Sequence, residues 1–188
     1  MTGGAEDAAG EDAAGEDAAA AGAEPRGLVV FDIDGVLADV EHRVHHLEGP
    51  RKDWRAFFAA AAADPPLPTG LELARELAAD HDLAYLTGRP ESLRRVTQRW
   101  LSRHELPVGP LWMRPPGDFR PARVMKLAAL RSLAAELEVE IEVVIDDDEL
   151  VVDALRDAGY AVLQATWAVQ TRTHSRTLRR AQEEQGRT

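Results

Sequence analysis

The sequence predicts an α/β fold, a parallel five-stranded sheet with helices on both faces. Short apolar or β-branched runs alternate with amphipathic helical stretches from Gly27 to Leu163, and three of those runs end on a polar residue suited to chemistry. With 188 residues the chain can bury one ordinary core without disulfides or structural metal.

Residues 28–31 are apolar, end on Asp32 and form the first predicted strand. Leu71, Ala74, Leu77 and Ala78 share one helical face, and residues 83–86 make a second strand ending at Thr87. Pro90 suits the first turn of a helix with Leu93, Val96, Trp100 and Leu101 inside. Residues 108–113 give a weaker third strand. Leu127, Leu130, Ala134 and Leu137 mark another helix. Residues 141–145 are β-branched and run into Asp146, Asp147 and Asp148, followed by a helix over 149–158 with Gly159 as its C-cap and a fifth strand over 160–163. Such alternation implies right-handed crossovers in a Rossmann-like sheet, with the site beyond the carboxyl ends of the strands. Residues 39–68 interrupt the alternation and are expected to form a small lid, with Trp54, Phe57 and Phe58 as lid core in preference to a base-stacking platform.

Composition narrows the function. With no cysteine, thiolate zinc sites and cysteine nucleophiles are excluded, and nothing argues for an oxidising compartment. No apolar run is long enough to span a membrane and the N-terminus is acidic, so a soluble, unexported, cytoplasmic protein is expected. Residues 1–25 hold seven acids and no Lys or Arg in an Ala/Gly/Glu/Asp repeat without large apolar residues, which predicts a disordered tail. Residues 171–188 carry five Arg against two Glu and read as a basic helix or tail. Of the formal net charge of −11, the predicted domain over 26–170 remains acidic, which argues against long, sequence-indifferent binding along duplex DNA but leaves room for a short nucleic-acid end.

The chemistry concentrates in three places. Asp32 and Asp34, two residues apart past a buried strand, repel each other unless a cation or a proton intervenes. Asp146 and Asp147 close a second strand at the same sheet edge, and clustered carboxylates without thiolates suit a hard cation such as Mg²⁺. Asp148 is expected to cap the following helix. Thr87, Gly88, Arg89 and Pro90 lie where a strand is predicted to meet a helix N-terminus, an anion-binding arrangement. Lys126 is one of only two lysines against twenty arginines and opens a helix, where the dipole disfavours a cation; a compact ammonium on a phosphoryl oxygen and a carboxylate would explain it.

In this order, Asp32-Ile33-Asp34-Gly35, Thr87, Lys126 and Asp146-Asp147 closely resemble the motifs of the haloacid dehalogenase (HAD) superfamily of aspartyl phosphotransferases. The resemblance implies that Asp32 attacks phosphorus, that Asp34 serves as general acid and base, that Thr87 and Lys126 hold the phosphoryl group, and that Asp146 and Asp147 bind Mg²⁺ with Asp32 and the backbone carbonyl of Asp34. A second Asp at position 34 implies phosphate ester hydrolysis over dehalogenation. The stretch from Met113 through Arg114, Gly117, Asp118 and Arg120 to Lys126 is similar to the phosphatase half of the polynucleotide kinase 3′-phosphatase family, which usually carries acids where this chain has Ala122 and Arg123. That likeness implies a nucleic-acid 3′-phosphate substrate. Gly88 in the predicted anion-binding turn, Arg89, Arg114 and Arg120 near the predicted crevice mouth, and His42 and Arg43 in the lid are expected as substrate contacts. No Gly-x-x-x-x-Gly-Lys-[Ser/Thr] segment occurs, so no kinase domain is expected in this chain. Two rivals stand beside this reading: a nucleotidase acting on mononucleotides, and a phosphorylation-dependent receiver-like signalling domain, whose acidic pair and phosphoacceptor come in the opposite order.

Overall fold

Parity along the first strand decides which side chains go to which face of the sheet. In β1 (Leu28–Phe31), Val29 and Phe31 enter a cluster with Leu71, Trp100 and Ile145, while Leu28 and Val30 enter a second with Leu130, Val144 and Val151. A strand buried on both faces is the middle of a sandwich of helices, which is why the run is apolar throughout.

The computed structural model describes residues 26–48 and 50–168, with Thr177 and Ala181. The sheet adds β2 (Asp82–Pro90), β3 (Leu111–Arg114), β4 (Ile141–Asp146) and β5 (Val162–Gln164) in the order β3-β2-β1-β4-β5, every pairing parallel. The order reverses between β1 and β4, so the crevice at that switch lies between the end of β1 and the end of β4. Asp32 and Asp146 sit there, and the Asp32 amide donates to the Ile145 carbonyl at 2.9 Å.

Between β1 and β2 the chain forms α1 (Glu41–Val44), α2 (Trp54–Ala59) and α3 (Pro68–Leu77), with one 3-10 turn after α1 and another after α2. Val40, Val44, Leu47, Trp54, Phe57 and Phe58 form a third apolar cluster that also takes in Ala181. Trp54 stacks on Phe58 with centroids 5.6 Å apart and meets Phe57 edge-on at 5.7 Å. These rings are the core of the insertion, as the sequence suggests.

The remaining helices are α4 (Arg94–Arg103), α5 (Ala122–Leu137) and α6 (Glu149–Asp157). Three details differ from the sequence reading. Pro90 does not open a helix: its ψ of 150° keeps it extended at the end of β2, a 3-10 turn follows, and α4 starts at Arg94. Proline also disfavours helical geometry for the residue before it, so Arg89 stays in the strand. β3 starts at Leu111, with Val108 fully exposed behind Pro107 and Pro110. The buried face of α5 is Met125, Lys126, Leu130 and Leu133, which leaves Leu137 exposed.

Among the described residues no helix is long and apolar enough to cross a membrane. The tail predicted over 1–25, and the basic stretch over 171–188 apart from Thr177 and Ala181, lie outside the described residues.

Candidate active site

The turn after β1 is tight because the Ile33 carbonyl accepts from the amides of both Leu37 and Ala38, at 2.9 and 2.8 Å. Gly35 has φ +84°, and a Cβ there would collide with the Asp147 carboxylate. Glycine therefore serves both the left-handed backbone and the close approach of the β4 acids. The turn points Asp32 and Asp34 toward different partners.

Asp32 meets the first set. It is 5% exposed and its Oδ2 lies 2.8 Å from the Lys126 ammonium, which also donates to Asp146 Oδ2 at 2.6 Å. One compact cation thus bridges the ends of β1 and β4 from the first turns of α5. Lys126 is buried, which would lower its pKa, but Asp146 and Asp32 outweigh burial and hold it protonated. Asp32 Oδ1 is buried without a hydrogen-bond partner. Burial, reinforced by Asp146 and Asp34, lifts the Asp32 pKa to about 7 against the pull of Lys126. Asp147 is pushed well above the carboxylate range by burial, Asp146 and Asp32.

Ligand oxygens from Asp32, Asp146 and Asp147 lie within 4.8 Å of one another. An orphaned carboxylate oxygen on Asp32 and three clustered carboxylates, with no softer ligand among them, fit a hard divalent cation. Asp148 takes the other role expected of this run: its side chain accepts from the Leu150 amide at 3.0 Å and caps α6.

Asp34 meets a second set. Its Oδ1 accepts from Arg89 Nε and Nη2 at 2.8 and 2.6 Å and from Arg43 Nη2 at 2.9 Å. Burial would raise its pKa, but Arg43 and Arg89 overcome that and bring it to about 2. The Asp34 carboxylate is therefore not one of the clustered metal ligands, and only its backbone carbonyl could play the part the resemblance implied.

The same arginines hold Asp64, a residue the sequence reading missed. Asp64 is 3% exposed and accepts from Arg43 Nε at 2.7 Å and Nη2 at 2.8 Å, from Arg89 Nη2 at 2.6 Å and, at Oδ1, pairs with His42 Nε2 at 2.8 Å. Its carbonyl accepts from Trp100 Nε1 at 2.8 Å, which ties the insertion to α4. The available signal was faint: an acid at the end of an alanine run, followed by Pro65 and Pro66. The result is a buried quartet of two arginines and two aspartates. Arg43 also lies over the Phe57 ring, 4.1 Å from its centroid. Yet Nη1 of Arg43 and Nη1 of Arg89 are each buried without a partner.

Thr87 is fully buried, and its hydroxyl accepts from the Arg89 amide at 3.3 Å. Because β2 continues to Pro90, Thr87 and Gly88 do not lie at a helix N-terminus, so the helix-end anion site expected there is not formed. Arg114 and Arg120 separate in function. Arg114 is 2% exposed and donates to the carbonyls of Gly88, Asp118 and Arg120, at 3.4, 3.3 and 2.8 Å. It staples the loop over 115–121 to the end of β2. Arg120 is half-exposed and pairs with Asp118 at 2.6 Å, an interaction that costs little to exchange.

A Rossmann-like sheet with an acid pair after its first strand, a bridging lysine and a carboxylate cluster is the arrangement expected of a HAD-type phosphatase. The model of the phosphatase domain of polynucleotide kinase PNKP matches residues 26–168, and the chain belongs to that family. Among solved structures it is similar to a chain of a Pnkp1/Rnl/Hen1 complex, with 22% identity over 75% of this chain and 45% of that one and a TM-score of 0.57. It is also similar to a chain of the Pnkp1/Rnl/Hen1 RNA repair complex, with 21% identity, 79% and 46% coverage and a TM-score of 0.58. The chain thus spans less than half the length of these relatives. A haloacid dehalogenase-like hydrolase from Streptococcus pneumoniae shares 16% identity over 85% of this chain and 92% of its own, with a TM-score of 0.59. At these identities the structural likeness is one of fold. No curated protein matches the chain in sequence.

Proposed function

We propose that this phosphatase removes terminal phosphate from nucleic-acid 3′ ends through an aspartyl-phosphate intermediate on Asp32, with Mg²⁺ held by Asp32, Asp146, Asp147 and the Asp34 carbonyl. One observation carries the phosphate reading: two buried guanidinium groups beside the Asp32–Asp34 turn, each with a nitrogen that lacks an acceptor. Buried donors of that kind are costly unless something accepts from them in the working state. A phosphoryl oxygen would do so. The nucleic-acid part rests on family membership and on the likeness to a chain of the Pnkp1/Rnl/Hen1 RNA repair complex.

In this reading an Asp32 oxygen attacks phosphorus, the bond from phosphorus to the ester oxygen breaks, and the leaving oxygen takes a proton from Asp34. Water then attacks the aspartyl phosphate, gives its proton to Asp34, and inorganic phosphate leaves with Asp32 regenerated. A bound Mg²⁺ supplies charge neutralisation between Asp32 and the phosphate. Lys126 steadies the attacking carboxylate. The Asp34 clamp explains how one carboxyl serves both steps. While Arg43 and Arg89 hold it, Asp34 is ionised and cannot donate. As these arginines turn toward an incoming phosphate, their hold weakens and the Asp34 pKa rises toward a range where it can carry a proton. Thr87 and Gly88 line the phosphoryl side, His42 positions Asp64, and Arg120 meets a flanking phosphate. RNA-repair proteins are the partners this reading implies, and the cysteine-free sequence suits the cytoplasm.

Initial rates with Mg²⁺ on 3′- and 5′-phosphorylated oligonucleotides, mononucleotides and sugar phosphates test it. The expected result is the highest kcat/KM for the 3′-phosphorylated oligonucleotide, falling shallowly with salt because few phosphates are neutralised. Equal values for that substrate and for 5′-mononucleotides would favour the nucleotidase rival and leave the phosphatase class untouched.

A further inference from the structure

A groove of about 530 Å³ opens between three elements: Trp54, Arg55 and Phe58 of α2, Pro90 at the end of β2 with Ser92 just beyond it, and the loop bearing Gly117 and Phe119. Its volume is in the range of small-ligand clefts, roughly 300–1,000 Å³. Two of its walls are fixed to each other by Arg114, which donates to Gly88 at the end of β2 and to Asp118 and Arg120 in the loop. The third wall is the stacked Trp54–Phe58 pair, 7% and 8% exposed. Phe119, on the loop opposite, is 58% exposed.

Pro90 directly follows Arg89, whose guanidinium lies on Asp34. The groove thus starts one residue along the chain from an arginine of the Asp34 clamp, on the side stapled to Gly88 by Arg114, and a group attached through the ester oxygen is within reach of it. Its lining selects what that group is. Aromatic faces from two separate elements, a proline ring and a single rim cation, Arg55, suit a flat, weakly polar ring attached to an anionic backbone. A bare sugar or polyol would find few hydrogen-bond partners there.

We propose that this groove is a nucleobase subsite, in which the base of the 3′-terminal nucleotide stacks against Phe119 opposite the Trp54–Phe58 wall, with Arg55 beside the next phosphate. The proposal rests on the 3′-end reading above and adds to it a sequence-tolerant requirement for the base itself, since every base offers a π-face. It also gives the insertion a role in choosing substrate.

The test compares two 3′-phosphorylated oligonucleotides of equal length, one ending in an ordinary nucleotide and one in an abasic sugar. The wild-type chain should prefer the intact substrate in kcat/KM by roughly 5- to 150-fold, the rate equivalent of one base–aromatic stack. Phe119→Ala should bring that ratio close to one, and Phe119→Tyr should keep it; circular dichroism establishes that both variants are folded. A wild-type ratio near one, or a ratio unchanged in Phe119→Ala, overturns the subsite while hydrolysis of both oligonucleotides leaves the 3′-end reading standing. Hydrolysis of an aryl phosphate but of neither oligonucleotide overturns both.

Discussion

Arg89 places two nitrogens on a single carboxylate oxygen of Asp34, at 2.8 and 2.6 Å, from a strand 55 residues further along the chain. The contact divides the acids of the DxD turn: Asp32 shares a lysine with Asp146 and sits near neutral pKa, while Asp34 is kept ionised by two arginines. Two carboxyls two residues apart have thereby acquired opposite protonation tendencies, but in the reverse of the sense that a nucleophile and a proton donor need. A cation beside Asp32 and a phosphate drawing off the arginines of Asp34 are required to exchange them.

Substitutions at these two positions should separate accordingly. Asp32→Asn should abolish turnover of an aryl phosphate, because an amide cannot accept the phosphoryl group. Asp34→Asn should slow it by ~10²- to 10⁴-fold, the usual cost of losing acid and base catalysis. Steady-state rates with Mg²⁺ check both, and wild-type turnover by Asp32→Asn would sink the mechanism.

The second prediction concerns Asp64. Replacing it with Asn leaves Arg43 and Arg89 buried with one carboxylate between them, and uncompensated buried charge of this kind costs about 3–5 kcal/mol. Thermal unfolding of Asp64→Asn should therefore show a drop of several degrees, at roughly 2–4 °C per kcal/mol for a chain of this size. An unchanged Tm would mean that the quartet does not hold the insertion in place.

What could be read from the sequence follows from the range of the interactions involved. β1, its ending on Asp32, and the β4 run into Asp146 were legible because burial on both faces imposes an unbroken apolar string, and Asp148 was legible as a cap because capping is local. The Asp34–Arg89 and Asp64–Arg43 contacts were not, since they join residues 55 and 21 positions apart and depend on how the insertion folds back. Pro90 misled for a related reason. A proline fits either a first helical turn or an extended end, and only the pairing of Pro90 with Arg114 decides between them.

A third prediction follows from composition alone. Deleting residues 1–24 should alter neither the Tm nor the rate on a small phosphate ester, because a segment of small and acidic residues has nothing to bury. Differential scanning fluorimetry on the shortened chain checks it, and a loss of several degrees would show that the tail docks.

The last prediction uses the raised acids as a reporter of metal independent of activity. In the unfolded chain Asp32 loses its proton near the usual carboxylate value of roughly 4, whereas in the folded chain it keeps it to about 7. Between those values the native state binds more protons than the unfolded state, so stability falls as pH rises through that window. Asp147, also raised by burial and its acidic neighbours, acts in the same direction. Asp34, lowered to about 2, and Lys126, raised, are ionised in both states across the window and leave the slope unchanged. With EDTA present, the Tm should decline between about pH 5 and pH 8. A divalent cation binds the ionised carboxylates and not their protonated forms, so Mg²⁺ should raise the Tm more at pH 8 than at pH 5. Asp32→Asn, which removes one of the raised groups, should flatten the EDTA curve and shrink the Mg²⁺ effect. Parallel Tm curves with and without Mg²⁺, in wild type and variant alike, would show that these carboxylates are not where the cation binds.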